Sequence, residues 1–170
     1  MKILKKIIEY FLIFLLFSVP IIFIATYHTK SKYYSEFSNM RINVATYYEW
    51  GTAGRGTSVA RYSFISNNQK YESATSFATF KEASPRLNRN YIVVYNAKNP
   101  KRSTCFLNLP VHDSIRHYFN RGSINKIPVQ SYQRTIDSFY LRRLTTGFDS
   151  FFPPYYKKED FPELEYLWKE

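Results

Sequence analysis

The chain has 170 residues, 45% of them hydrophobic, enough for one domain with appendages and a core that needs no covalent staples. A single cysteine, Cys105, excludes an intramolecular disulfide and a zinc site built on several thiolates. The formal net charge of +11 favours anionic neighbours, but Lys, Ile, Asn, Tyr and Phe are abundant together, as A/T-rich codons produce, and net charge alone speaks only to solubility and nonspecific contact.

Residues 1–28 read as a transmembrane anchor. Lys2, Lys5 and Lys6 precede an apolar run from Ile7 to Tyr27 that only Glu9 interrupts, and about 20 apolar residues cross a bilayer as a helix. Tyr10 and Tyr27 stand where interfacial aromatics are common, and membrane helices tolerate a proline such as Pro20. The alternative is a cleaved signal peptide. Its apolar core is typically about 7–15 residues and ends in small residues, whereas "FIATYHTK" offers Ala25 without a small-x-small pair. No cysteine follows the run, which excludes a lipoprotein anchor. The cations before the span slightly outweigh Lys30 and Lys32 after it, so the expected arrangement is single-pass at the cytoplasmic membrane with the bulk of the chain outside the cytoplasm.

Residues 29–40 form a polar, aromatic stalk, and residues 41–111 a β-rich domain. "RINVATYYEW" has strand periodicity, with Ile42, Val44, Thr46 and Tyr48 on one face. In "GTAGRGTSVARYSF" the glycines Gly51, Gly54 and Gly56 are spaced in the reverse of a dinucleotide fingerprint, and no Lys-Ser/Thr comes after them. The residues after Gly56 alternate with period two, so the glycines serve a turn between strands, with Arg55 at its tip. "SVARYSFISNNQKYESATSFA" is a hairpin pattern: with Asn67–Asn68 as the loop, Phe64 faces Tyr71, Tyr62 faces Ser73 and Ala60 faces Thr75, while Arg61 and Glu72 share the other face and can pair diagonally. "YIVVYN" is apolar on both parities, as in a central strand. "AKNPKRS" reads as a turn around Asn99 and Pro100, and "TCFLNLPV" as the closing strand. Five short-linked strands suit a small antiparallel barrel or sandwich.

Residues 112–170 form a helical and irregular extension packing on that domain. "SYQRTIDSFYLRRL" places Tyr132, Ile136, Phe139, Tyr140 and Leu144 at helical spacing. Ser131 is the expected cap, Arg142 and Arg143 favour the last turn, and Gly147 ends the helix. "EDFPELEYLWKE" reads as a final short helix capped by Asp160 with Pro162 in its first turn. The fold class is therefore mainly β with added helices, α+β.

The run from Gly54 to Val111 resembles a group of small membrane-anchored bacterial proteins with no assigned activity. The features shared are Tyr62–Phe64, Asn68–Gln69–Lys70–Tyr71, Val93–Tyr95, the Asn99–Pro100 turn and the strand Cys105–Leu109. Gln69 stands where that group has a hairpin glycine, and Asn88–Arg89–Asn90 where it has Gly-Asp. The resemblance implies an anchor and a small β-domain, and no activity.

Catalytic chemistry finds little purchase. Cys105 with His112 or His117 is the one conceivable Cys–His pair, yet Cys105 sits in an apolar strand, where a cysteine is usually a small buried hydrophobe. His112 and His117 are five apart and diverge on a helix; Asp113 and His117 share a face, which more often makes a surface contact than a metal site. No carboxylate pair suggests acid–base work. Neither a catalytic residue, a cofactor nor a metal is assigned.

Anion or partner contact is the more promising chemistry. Its candidates are Arg55, Arg86, Arg89, Lys101 and Arg102, with Lys98, Arg116, Arg121, Arg142 and Arg143 as further surface cations. Tyr91, Tyr95 and Tyr118 would allow base stacking, but the membrane span argues against nucleic acid and for lipid headgroups or envelope polymers. Phe161, Leu164 and Trp168 recur at helix-in-groove spacing and would dock on a partner or, the favoured reading, on the domain itself.

The expected function is a non-enzymatic, membrane-anchored binding or accessory protein of the bacterial cell envelope, of immunity type in one version. Its partners would be the membrane and a protein or anionic envelope component. The alternatives are an enzyme acting on envelope polymers and a structural subunit of a membrane complex.

Overall fold

The computed structural model describes residues 2–80, 85–112, 129–146 and 156–169. Helix α1 (Lys2–Ser38) leads into β1 (Met40–Ala53), β2 (Thr57–Ser66), β3 (Gln69–Ser76), β4 (Arg89–Asn96), β5 (Asn99–Pro110) and helix α2 (Gln130–Thr145). Short 3₁₀ turns cover Gly54–Gly56, Phe77–Phe80, Lys158–Asp160 and Pro162–Leu167. The fold is α+β and mainly β, as the strand grammar predicts.

The five strands form one antiparallel sheet in the order β3-β2-β1-β4-β5. It curls into a half-barrel. The first strand in the chain is thus the central one. The curl brings β5 near β3 and β2: the Cys105 amide of β5 donates to Thr75 Oγ1 of β3 at 3.1 Å, and the Ser103 hydroxyl of β5 is 3.0 Å from that of Tyr62 on β2.

The two faces separate by parity. The concave face carries Ala45, Tyr47, Ala60, Tyr62, Phe64, Val93, Tyr95 and Cys105, all buried. Its polar tips pair internally, as when Ser66 Oγ donates to Tyr95 Oη at 3.1 Å. The opposite face carries Ile42, Ile92, Val94 and Phe106. Helix α2 covers it with Ile136, Phe139 and Tyr140, Phe106 meeting Phe139 at 5.1 Å between ring centroids. Residues Tyr91–Asn96 are buried along their whole length because β4 is covered on both sides. That is why its sequence is apolar on both parities.

Several details differ from the sequence reading. Ile42, Val44 and Thr46 share a face, but a bulge between Tyr47 and Glu49 takes Tyr48 out of the series. The β4–β5 turn is Ala97–Lys98, not Asn99–Pro100. Asn96 Oδ1 accepts from the amides of Lys98 and Asn99, so the tight turn is already closed before Pro100. Arg61 pairs with Glu49 at 3.6 Å and Glu72 with Lys70 at 2.8 Å, rather than with each other, because the register sets Arg61 opposite Ala74. The start of α2 carries no side-chain cap: Val129 holds the capping position, one residue ahead of the helix and two before Ser131. Gly147 lies outside the described residues. The stalk is not a separate element, since α1 runs on through residue 38. The final segment is two 3₁₀ turns instead of an α-helix. Asp160 accepts from the Lys157 amide at 2.7 Å, and so belongs to the first turn while Pro162 opens the second.

The β2–β3 hairpin has the expected register, Phe64 opposite Tyr71, Tyr62 opposite Ser73 and Ala60 opposite Thr75. Asn67 and Asn68 have φ values of 50° and 59°, the left-handed pair that a two-residue turn needs. Asn68→Gly is therefore expected to keep or slightly raise stability, whereas Asn68→Val lowers it by about 1–2 kcal/mol. Denaturant unfolding followed by near-ultraviolet circular dichroism checks both.

Candidate functional site

The chemistry of the described residues concentrates where α1 leaves its apolar run and joins the domain. From Lys30 onward, α1 presents Lys30, Tyr33 and Phe37 at three- and four-residue spacing, one stripe of a helix. That stripe lies antiparallel to α2. Lys30 meets Arg143 and Thr146, Tyr33 meets Phe139 and Tyr140, and Phe37 meets Tyr140.

Lys30 is buried, and its Nζ donates to the carbonyl oxygens of Arg143 and Thr146. These are among the acceptors that the end of a helix leaves without partners. An ammonium there also meets the negative end of the α2 dipole. The Arg143 guanidinium lies 5.7 Å from the Tyr33 ring centroid and 5.4 Å from that of Phe139, so the neighbouring cation is held over two aromatic faces.

Above this, Glu36 is 1% exposed. Its Oε1 is 4.0 Å from Lys32 Nζ, and its Oε2 has no hydrogen-bond partner among the described residues. Burial pushes the carboxyl above the ordinary glutamate value, and the charges of Lys32 and Arg102 offset only part of that. Asn96 Nδ2 donates to Ser35 O and Oγ, both at 2.9 Å, which ties the β4–β5 turn to the same stretch of α1.

The carboxy-terminal segment completes the junction. Phe161 and Leu164 are buried with Leu141 and Leu144, and Trp168 packs half-buried at the margin of that cluster. Phe37 and Phe161 meet edge-on at 5.7 Å, and Tyr34 stacks on Tyr156 at 4.9 Å. Tyr166 Oη donates to Asp137 Oδ2 at 2.6 Å, and Gln133 supplies Asp137 with a second donor. The three apolar residues singled out in the tail thus lie against their own chain.

The candidate cations are not gathered into one cleft. Arg86 and Arg89 precede and begin β4, and Lys101 and Arg102 lie on β5 beside its other end, between the partners of Asn96 and Tyr95, about 20 Å away along an eight-residue strand. Arg55 belongs to the turn that joins β1 to β2, past the point where β4 stops pairing. Of the set, Arg102 alone reaches the junction, through its charge on Glu36. Arg116, Arg121, Tyr118, Asp113 and His117 lie outside the described residues. Tyr91 and Tyr95 are buried, with no face open for stacking on a base.

Cys105 is fully buried, and burial alone pushes its thiol far up, the reverse of what an activated thiolate requires. Its neighbour Tyr62 is pushed up to about 12, by burial first and then by Cys105. Among the described residues no three His, Cys, Asp or Glu side chains come together as a metal site would need. No protein-family model, curated protein or solved structure matches the chain.

Lys30, Glu36 and Asp137 are the buried charged residues, among those described, to which sequence reading assigned no contact. A signal for the first was present, in the helical stripe of Lys30, Tyr33 and Phe37 within the supposed stalk.

The junction makes two outcomes testable. A glutamate whose folded pKa is raised stabilises the fold fully below its unfolded pKa and loses that contribution as pH rises through the folded one. Glu36→Gln should raise the melting temperature at neutral pH and give no gain near about pH 4; equal shifts at both would contradict this. Phe161→Ala should cost about 3–5 kcal/mol in denaturant unfolding, since the ring is buried rather than held out for a partner.

Proposed function

We propose that the chain is a non-enzymatic, single-pass membrane protein that holds a small β-domain at the outer face of the cytoplasmic membrane and acts by binding. The observation that carries this reading is α1. Its apolar residues from Ile7 to Ile24 stand exposed to the surroundings, and the same helix continues without a break into a segment bound to the folded domain. A helix of that length and hydropathy meets the requirement for a span.

The binding partner would be a protein or an anionic envelope component. Trp50 favours a protein. Its ring is 62% exposed, yet it is held by stacking on Phe77 at 4.7 Å. A rigid, exposed indole is the kind of side chain that dominates protein interfaces. An immunity-type protein, which captures a toxin beside the membrane, is one concrete form of this function.

Because Cys105 is buried, it is silent to thiol reagents, and topology is read with an exposed substitute. Lys98→Cys should react with a membrane-impermeant maleimide in intact cells; reaction only after permeabilisation would place the domain in the cytoplasm. Crosslinking in native membranes followed by mass spectrometry should recover one stoichiometric protein, and Trp50→Ala should weaken its capture by more than about tenfold. Turnover of an envelope polymer by the purified chain, with no partner recovered, would overturn the binding function.

A further inference from the structure

We infer that the end of α2 and the adjoining turn of α1 form a cationic collar that binds anionic lipid headgroups and so seats the half-barrel on the bilayer in one pose. The inference rests on α1 being a membrane span.

The depth of the collar is set by helix geometry. As a helix, Ile7–Tyr27 measures about 30 Å, the thickness of a hydrocarbon core. Lys30 is three residues further, about 4.5 Å beyond it, within a headgroup layer of about 5–7 Å. Lys30 is also the residue that holds the last carbonyls of α2. Helix α2 runs antiparallel to α1, so its final turn points back at the membrane and ends at headgroup depth. Arg142 and Arg143 are in that turn, and both are exposed. Arg143 is steadied over Tyr33 and Phe139. Lys32 is one turn or less away on α1, with its side chain 56% exposed. Stacking of Tyr156 on Tyr34 brings the exposed Lys157 and Lys158 alongside.

Among the described residues, the carboxylates near this level adjoin the lysines and not the two arginines. Glu36 lies 4.0 Å from Lys32, and Glu159 and Asp160 directly follow Lys157 and Lys158, so the charge of those three lysines is largely offset and the collar's net charge rests on Arg142 and Arg143. Paired guanidinium groups suit phosphate oxygens through forked hydrogen bonds. Each cation held near an anionic membrane surface strengthens binding by about fivefold. A phosphatidylcholine surface presents the same phosphate but no net charge, so preference for an anionic lipid is the property to measure.

The test uses the full chain in phosphatidylcholine vesicles containing a minority of phosphatidylglycerol. Electron paramagnetic resonance of spin-labelled lipids gives the relative association of the two headgroups with the protein. The wild type should prefer phosphatidylglycerol, less so as salt is raised. R142Q/R143Q should lose about threefold or more of that preference, and R142K/R143K should retain it. Lys2, Lys5 and Lys6 contribute the same background in every variant. Should R142Q/R143Q fail to fold by near-ultraviolet circular dichroism, R142Q alone, with an exposed side chain, carries the comparison. Equal preference in the wild type and the glutamine variant would overturn the collar and leave these cations to an acidic protein. Release of the wild type from vesicles by alkaline carbonate would overturn the span itself, and the collar with it.

Discussion

A buried lysine closing the last turn of a neighbouring helix is the contact on which the rest of this molecule depends. An α-helix ends with carbonyl oxygens that no residue of its own can satisfy. In α2 two of them are taken by Lys30 of α1. The ammonium is compensated by those oxygens and by the helix dipole, which is what allows a charged side chain to be buried here at all. The bond fixes how far along α1 the second helix can slide. That in turn aligns Tyr33 with Phe139 and Tyr140, and Phe37 with Tyr140 and Phe161. Helix α2 is then held where Phe106 and Ile92 need a cover.

The same junction explains which parts of the fold could be read from sequence. The hairpin at Asn67–Asn68 was legible to the residue pair because its information is local: two residues that tolerate positive φ, flanked by alternating strands. The double-sided burial of Tyr91–Asn96 was legible because both parities are apolar. The α2 stripe of Ile136, Tyr140 and Leu144 was legible from its period. The continuation of α1 past residue 28 was not, because the change from apolar to polar composition masks a helical period that never changes. The three-residue spacing from Lys30 to Tyr33, and the four-residue spacing on to Phe37, carried the information.

The candidate site was less legible, for a topological reason. Arg89 and Arg102 are thirteen residues apart, and in sequence they look like members of neighbouring loops. Antiparallel pairing of β4 with β5 places them at opposite ends of the two-strand ladder. Conversely, Lys30 and Arg143 are more than a hundred residues apart and become neighbours only once α2 has folded back along α1. Charge clusters that depend on such returns cannot be seen in a linear chain. Asp137 is similar: its partner Tyr166 comes from a different element, and nothing local marks an acid in an arginine-rich helix as buried.

Only Asn39 separates α1 from the central strand, and it too bonds back to the helix through Ser35. The domain is therefore mounted on the apolar helix without a linker. A flexible tether would let a bound domain sweep a broad disc of membrane and meet partners at many angles. A rigid mount gives that up. A helix tilt of about 20°, ordinary in a bilayer, displaces a point 30 Å out along the axis by about 10 Å. With α1 as the proposed span, bilayer thickness, which sets the tilt, would become a mechanical input that determines where the half-barrel points.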